Sequence, residues 1–185
     1  MEFFFRIAAL TAAAAILCGC YVSKAPFITP ADADYPVATG AHFDAFAPRS
    51  TDWRPQPRGR TLHRLGDYYV YVEDGETERS NPFLLKEIAP GRYAVQVLDS
   101  ETPARVSEYY YQLIDFDGAT AIQYSGACRP RQAWLEQMLV ARFERLSTGD
   151  RCIFTSFDSL STVLKEAAVN AAPEAKYVLS AAPQR

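Results

Sequence analysis

Histidine is scarce in this chain: two among 185 residues, His42 and His63. Neither stands beside a second ligand type at metal-binding spacing, so both read as surface or capping residues, and no metal site or cofactor is expected. The same shortage removes the usual general base from any serine or cysteine triad. Excess charge is missing too. Nineteen Lys and Arg against 22 Asp and Glu leave a net charge of −3, which argues against a nucleic-acid partner and against an electrostatic grip on anionic lipid. The uncharged stretch Ile7 to Leu17 is far shorter than the ~20 apolar residues a helix needs to cross a bilayer. Cys-x-x-Cys spacing, a nucleophile elbow around Ser125 and an EF-hand glutamate after Asp115-Phe116-Asp117-Gly118 are all lacking.

What is present starts at the N-terminus. Arg6, a short apolar run and small residues before a break make up a secretory signal peptide. The break, Leu17-Cys18-Gly19-Cys20, resembles the lipobox of bacterial lipoproteins. The resemblance covers about the first twenty residues. It implies that residues 1–19 are removed and that Cys20 is lipidated and becomes the mature N-terminus, facing the periplasm from the cell envelope. A diacylglyceryl and an acyl chain together exceed the two-chain condition for stable anchoring. Tyr21 rather than Asp after the cysteine implies, by resemblance to enterobacterial sorting, the outer membrane. The later order of parts, a cysteine after the last hairpin, another before a capped helix, then Pro-Glu-Ala-Lys-Tyr, is similar to small uncharacterised proteobacterial lipoproteins, a likeness that carries no activity.

Four cysteines then reduce to two. Cys18 leaves with the signal peptide and Cys20 takes lipid, so Cys128 and Cys152 are expected to form a disulfide, worth roughly 3 kcal/mol for a loop of about 25 residues. A reactive thiol or a redox pair is the alternative.

Residues 20–57 carry six prolines without helical or strand period and read as a tether and extended arm, its aromatic second half lying against the domain. Residues 58–185 read as a single α+β domain, an antiparallel sheet of about five to seven strands built from hairpins, with a C-terminal amphipathic helix packed on one face. Tyr68 to Val72 is a strand between turn signals. Phe83 to Ile88 and Arg92 to Leu98 form a hairpin through Ala89-Pro90-Gly91, and Glu108 to Phe116 and Ala119 to Tyr124 a second through Asp117-Gly118. Helical spacing covers at least the first half of Arg131 to Leu146. Arg151 to Thr155 reads as a short strand. Leu160, Val163, Leu164, Ala167, Ala168 and Ala171 make a helical stripe after a Ser156 or Asp158 cap, and Tyr177 to Leu179 offers a terminal strand.

Two features carry candidate function. Eleven tyrosines crowd onto two strands, and Tyr69, Tyr71, Tyr109 and Tyr111 mark a candidate binding surface against the plainer reading of a covered second face. Asp67, Glu73, Asp74, Glu108 and Asp115 lie in or beside strands, where they would build a non-contiguous acidic site. Arg54 to Arg60 and Arg129-Pro130-Arg131 are basic loops that would touch an anionic partner only from one side of the fold. The expectation is a non-catalytic, lipid-anchored binding or assembly module whose partner is an envelope protein or polysaccharide. The rival is a small envelope hydrolase.

Overall fold

The computed structural model describes residues 21–50, 52–100, 105–124, 128, 135, 137–138, 145–147 and 151–180. In chain order its strands are β1 (Tyr21–Ser23), β2 (His42–Arg49), β3 (Asp52–Pro55), β4 (Arg60–Leu65), β5 (Tyr68–Glu73), β6 (Phe83–Ala89), β7 (Arg92–Leu98), β8 (Tyr109–Phe116), β9 (Thr120–Tyr124), β10 (Arg145–Ser147), β11 (Arg151–Ile153) and, after helix α1 (Phe157–Asn170), β12 (Pro173–Ser180). The lipobox and the Arg129–Arg131 cluster lie outside the described residues. So does most of the expected helix before Leu146, of which Leu135, Gln137 and Met138 are helical.

Both hairpins form where turn chemistry demands them. Gly91 at φ 69° and Gly118 at φ 96° occupy backbone that residues with a Cβ rarely adopt. The Asp117 carboxylate accepts from the N–H groups of Ala119 (2.9 Å) and Thr120 (2.7 Å), which closes the β8–β9 turn. Their registers, Leu85 opposite Val95 and Ile114 opposite Gln123, place alternate side chains on opposite faces.

The sheet is mostly antiparallel, as expected, but it is neither open nor limited to seven strands. Eight strands run β2-β4-β5-β6-β7-β8-β9-β12 and return to β2, each antiparallel to the next, within a twelve-stranded sheet. The result is a closed up-and-down barrel. Closure depends on β12, which pairs with β9 (Tyr177 opposite Ala121) and with β2 (Tyr177 opposite Ala45), so no barrel edge is left at this seam. β3 extends β2 as a short hairpin. On β8, residues 109–111 pair with β1 instead of β9, and β1 continues in parallel to β11 and on to β10.

The stretch expected to be a tether is therefore part of the fold. Tyr21 and Val22 are each 1% exposed, and His42–Arg49 is a barrel stave. Gln96, itself buried, docks the segment between them: its Oε1 accepts from the N–H groups of Phe27 (2.8 Å) and Ile28 (2.9 Å), and its Nε2 donates to Ile28 O (2.8 Å). Six prolines hid this because their missing N–H groups are tolerated in loops and at edges.

Helix α1 follows a Ser156 cap, whose Oγ accepts from Ser159 N–H at 3.2 Å, and ends before Pro173. Its stripe, Leu160, Val163 and Leu164, packs on Leu84, Ala94 and Leu113. The Cys128–Cys152 disulfide joins the same core, with Cα atoms 5.6 Å apart. Since the helix covers one face of the wall from outside, the opposite face lines the interior. Leu62, Tyr69, Leu85 and Val95 form the apolar cluster there.

Candidate functional site

Strand parity carries Arg60, Leu62 and Arg64 of β4 to the inside together with Tyr69, Tyr71 and Glu73 of β5, their register partners. Gln112 and Ile114 of β8, Gln123 of β9 and Tyr177 of β12 point the same way. An interior that alternates arginine and glutamine with apolar residues is unusual for so small a barrel, whose core side chains alone are able to fill it.

These polar groups form one chain. Arg60 Nη2 donates to Glu73 Oε1 (3.0 Å) and Nη1 to the Tyr177 hydroxyl (2.6 Å); that hydroxyl donates to Gln123 Oε1 (2.9 Å), and Gln123 Nε2 donates to Gln112 Oε1 (3.1 Å). The guanidinium also stands over two rings, 4.5 Å from the Tyr71 centroid and 5.1 Å from that of Tyr177, so cation–π attraction adds to the hydrogen bonds. Burial works against the Arg60 charge, yet Tyr177, Tyr71 and Glu73 outweigh it and hold the guanidinium above its ordinary value. Burial pushes the Tyr71 and Tyr177 phenols up, with Arg60 pulling the other way. Both phenols keep their protons at neutral pH.

At least two interior groups have no hydrogen-bond partner among the described residues. Neither the Tyr71 hydroxyl nor the Gln112 NH2 makes a hydrogen bond within the described residues, although no buried side-chain nitrogen or oxygen there is left unsatisfied. Both are consequently reached by solvent. Gln112, Ile114 and Val97, all inward-facing, are half-buried rather than buried. Solvent touches the interior wall at these positions.

A second cluster sits on the outer face of the β2–β12 seam. His42 and Ser180 are register partners; Ser180 Oγ lies 2.6 Å from His42 Nδ1, and His42 Nε2 lies 3.1 and 3.2 Å from the two Asp74 oxygens. An ionised carboxylate only accepts, so in the neutral imidazole Nε2 carries the proton and Nδ1 accepts from the Ser180 hydroxyl. The His42 hydrogen bond is the main cause holding the Asp74 carboxyl below its ordinary value. Gly59 makes room: a Cβ there would meet His42 Cε1 at 2.7 Å, and its N–H donates to Asp74 Oδ2 at 3.0 Å.

The four candidate tyrosines do not share a surface. Tyr69 and Tyr71 face inward, whereas Tyr109 and Tyr111 lie on the outer face of β8 against β1. Tyr69 and Tyr111 are fully buried. The five acids do not meet one another either: Glu73 binds Arg60, Asp74 binds His42, Asp115 holds Arg92 through two bonds of 2.7 and 2.9 Å, and Glu108 accepts from Lys24 and Arg151. Asp67 offers its backbone carbonyl to Tyr35. The basic stretch Arg54–Arg60 divides, Arg58 pairing with Glu76 at the surface and Arg60 turning inward. Among the described residues no three His, Cys, Asp or Glu side chains gather as metal ligands. Sequence reasoning missed Arg60, Gln112, Gln123 and Tyr177. The period-two order Arg60-Thr61-Leu62-His63-Arg64 holds a signal, because it places both arginines on the face of a buried leucine.

Fold and site thus define an antiparallel up-and-down barrel with a solvent-reached interior of phenol, amide and guanidinium groups. In comparisons with protein-family models, curated proteins and solved structures, nothing matches this chain.

Proposed function

We propose that the protein is a lipid-anchored envelope lipoprotein, facing the periplasm, whose barrel interior binds one small molecule. The single observation that supports this reading is the pair of unpartnered inward groups, the Tyr71 hydroxyl and the Gln112 amide, in a closed eight-stranded wall. Barrels of this size either fill with side chains or hold one small ligand, and polar groups left open among apolar neighbours are how ligand sites fix orientation. Saturation-transfer NMR of 4-phenylbutanol on the full chain tests it. Wild type is expected to bind, and Ile114→Trp, which fills the interior beside Gln112, to abolish binding. No transfer to wild type, or full transfer to Ile114→Trp, refutes the reading.

A second reading, the envelope hydrolase, draws on Ser180, His42 and Asp74 rather than on an acidic cluster. Their hydrogen-bond order is that of a nucleophile, base and orienting acid. The structural alternative is a clasp across the seam, in which Ser180 Oγ also reaches His42 O at 3.2 Å. A fluorophosphonate probe decides between them: labelling of Ser180 that is lost in His42→Ala supports hydrolysis, and absence of labelling in the folded protein leaves the clasp.

A further inference from the structure

We infer that the interior takes a molecule with an apolar body and a hydrogen-bond-accepting head group, a carboxylate, carbonyl or hydroxyl oxygen, and turns away a donor-only ammonium head. The inference rests on the binding reading above and deepens it by assigning the head-group chemistry to Gln112.

The assignment follows from the direction of the interior chain. A guanidinium has five donors and no acceptor, so the Tyr177 hydroxyl must accept from Arg60 at 2.6 Å and has its own proton left to give. That proton goes to Gln123 at 2.9 Å, which makes the receiving atom of Gln123 its carbonyl oxygen and turns its NH2 toward Gln112. The atom of Gln112 facing Gln123 at 3.1 Å must then be its oxygen. Amide orientations are ordinarily ambiguous; here one arginine settles two in succession. The chain ends in the Gln112 NH2, whose hydrogens have no acceptor among the described residues. The surplus at its far end is donors.

Charge and shape agree. Glu73 at 3.0 Å offsets the Arg60 charge, so the interior selects by donor and acceptor geometry more than by net charge. Leu85, Val95 and the half-buried Val97 and Ile114 supply the apolar surroundings. The Tyr71 phenol, protonated at neutral pH, adds a second donor. An ammonium placed against the Gln112 NH2 would face hydrogens where it needs lone pairs and would lose its hydration there without replacement.

Three probes share one apolar body: 4-phenylbutyrate, 4-phenylbutanol and 4-phenylbutylamine, titrated by isothermal calorimetry into the full chain at pH 7. The acid and the alcohol are expected to bind at least tenfold more tightly than the amine. Gln112→Leu should weaken the acid and alcohol about tenfold and leave the amine unchanged. Gln112→Glu, which still accepts from Gln123 but presents an oxygen to the interior, should reverse the order in favour of the amine. Equal binding of the three probes, or an unchanged preference in Gln112→Glu, overturns the head-group assignment while leaving the binding reading intact. Failure of all three probes to bind overturns both.

Discussion

Arg60 and Tyr177 meet inside the barrel across an intervening strand, guanidinium Nη1 to phenol oxygen at 2.6 Å, with only Phe43 and Ala45 of β2 between β4 and β12 on that face. The contact ties β4 to β12 and sets the direction of every amide beyond it. Tyr177→Phe keeps the ring and the cation–π contact but removes the hydroxyl, leaving one donor of Arg60 and the Gln123 oxygen unmatched. The expected cost is about 1–2 kcal/mol, read from the urea midpoint at unchanged m-value. A variant as stable as wild type would show that the bond contributes nothing to closure.

Gln96 should matter more to the N-terminal segment than to the barrel. Gln96→Leu leaves the buried Ile28 N–H and C=O without partners, leaves the Phe27 N–H with only the Tyr111 hydroxyl at 3.2 Å, and takes from that hydroxyl the acceptor it uses at 2.9 Å. At about 1–3 kcal/mol per unsatisfied buried group, destabilisation of at least ~2 kcal/mol is expected. Hydrogen exchange is the specific readout: the Phe27 and Ile28 amides should lose protection before the β6–β7 hairpin does.

How much of this was legible in the sequence depended on the range of the contacts. The β6–β7 and β8–β9 hairpins announce themselves through Pro90-Gly91 and Asp117-Gly118, because turn geometry is decided by residues next to one another. Helix α1 is equally local, its cap and stripe lying within sixteen residues of chain. Closure is the opposite case. His42 and Ser180 pair across 138 positions, and no local pattern tells β12 to join β2 on one side and β9 on the other. The site went unread for the same reason. Arg60 follows Pro55, Pro57 and Gly59 and looks like a loop cation until the ring closes around it. Gln112 and Gln123 break an apolar alternation without any sign that they face each other.

Acid should weaken the fold through Glu108. The Lys24 hydrogen bond is the largest cause lowering its pKa, burial opposes, and Arg151 lowers it further. A carboxylate more acidic in the folded chain than its ordinary 4.5 lends stability above that value and loses it as pH falls through the lower folded value, because the unfolded chain takes up the proton first. Glu108→Gln should therefore be less stable than wild type at pH 7, and the two urea midpoints should draw together as the pH falls below 4.5. A constant gap at all pH values would contradict the assignment.

Anchoring has its own test. With β1 starting at Tyr21 and buried from its first residue, a lipid on Cys20 would hold the barrel directly at the membrane surface with no spacer between them. Cys20→Ser is expected to move the protein from the membrane fraction to the soluble periplasm. A variant that still pellets and resists carbonate wash contradicts the lipid anchor.

The central claim is that the interior of the barrel is the binding site, and side-chain amide NMR addresses it most directly. In a ¹H–¹⁵N spectrum of the full chain, titration with 4-phenylbutyrate should shift the Gln112 NH2 pair most, the Gln123 pair next, and leave the exposed, outward-lying Asn170 NH2 pair where it is. Shifts confined to groups on the outer surface, with the Gln112 and Gln123 pairs unmoved at saturation, would contradict the account.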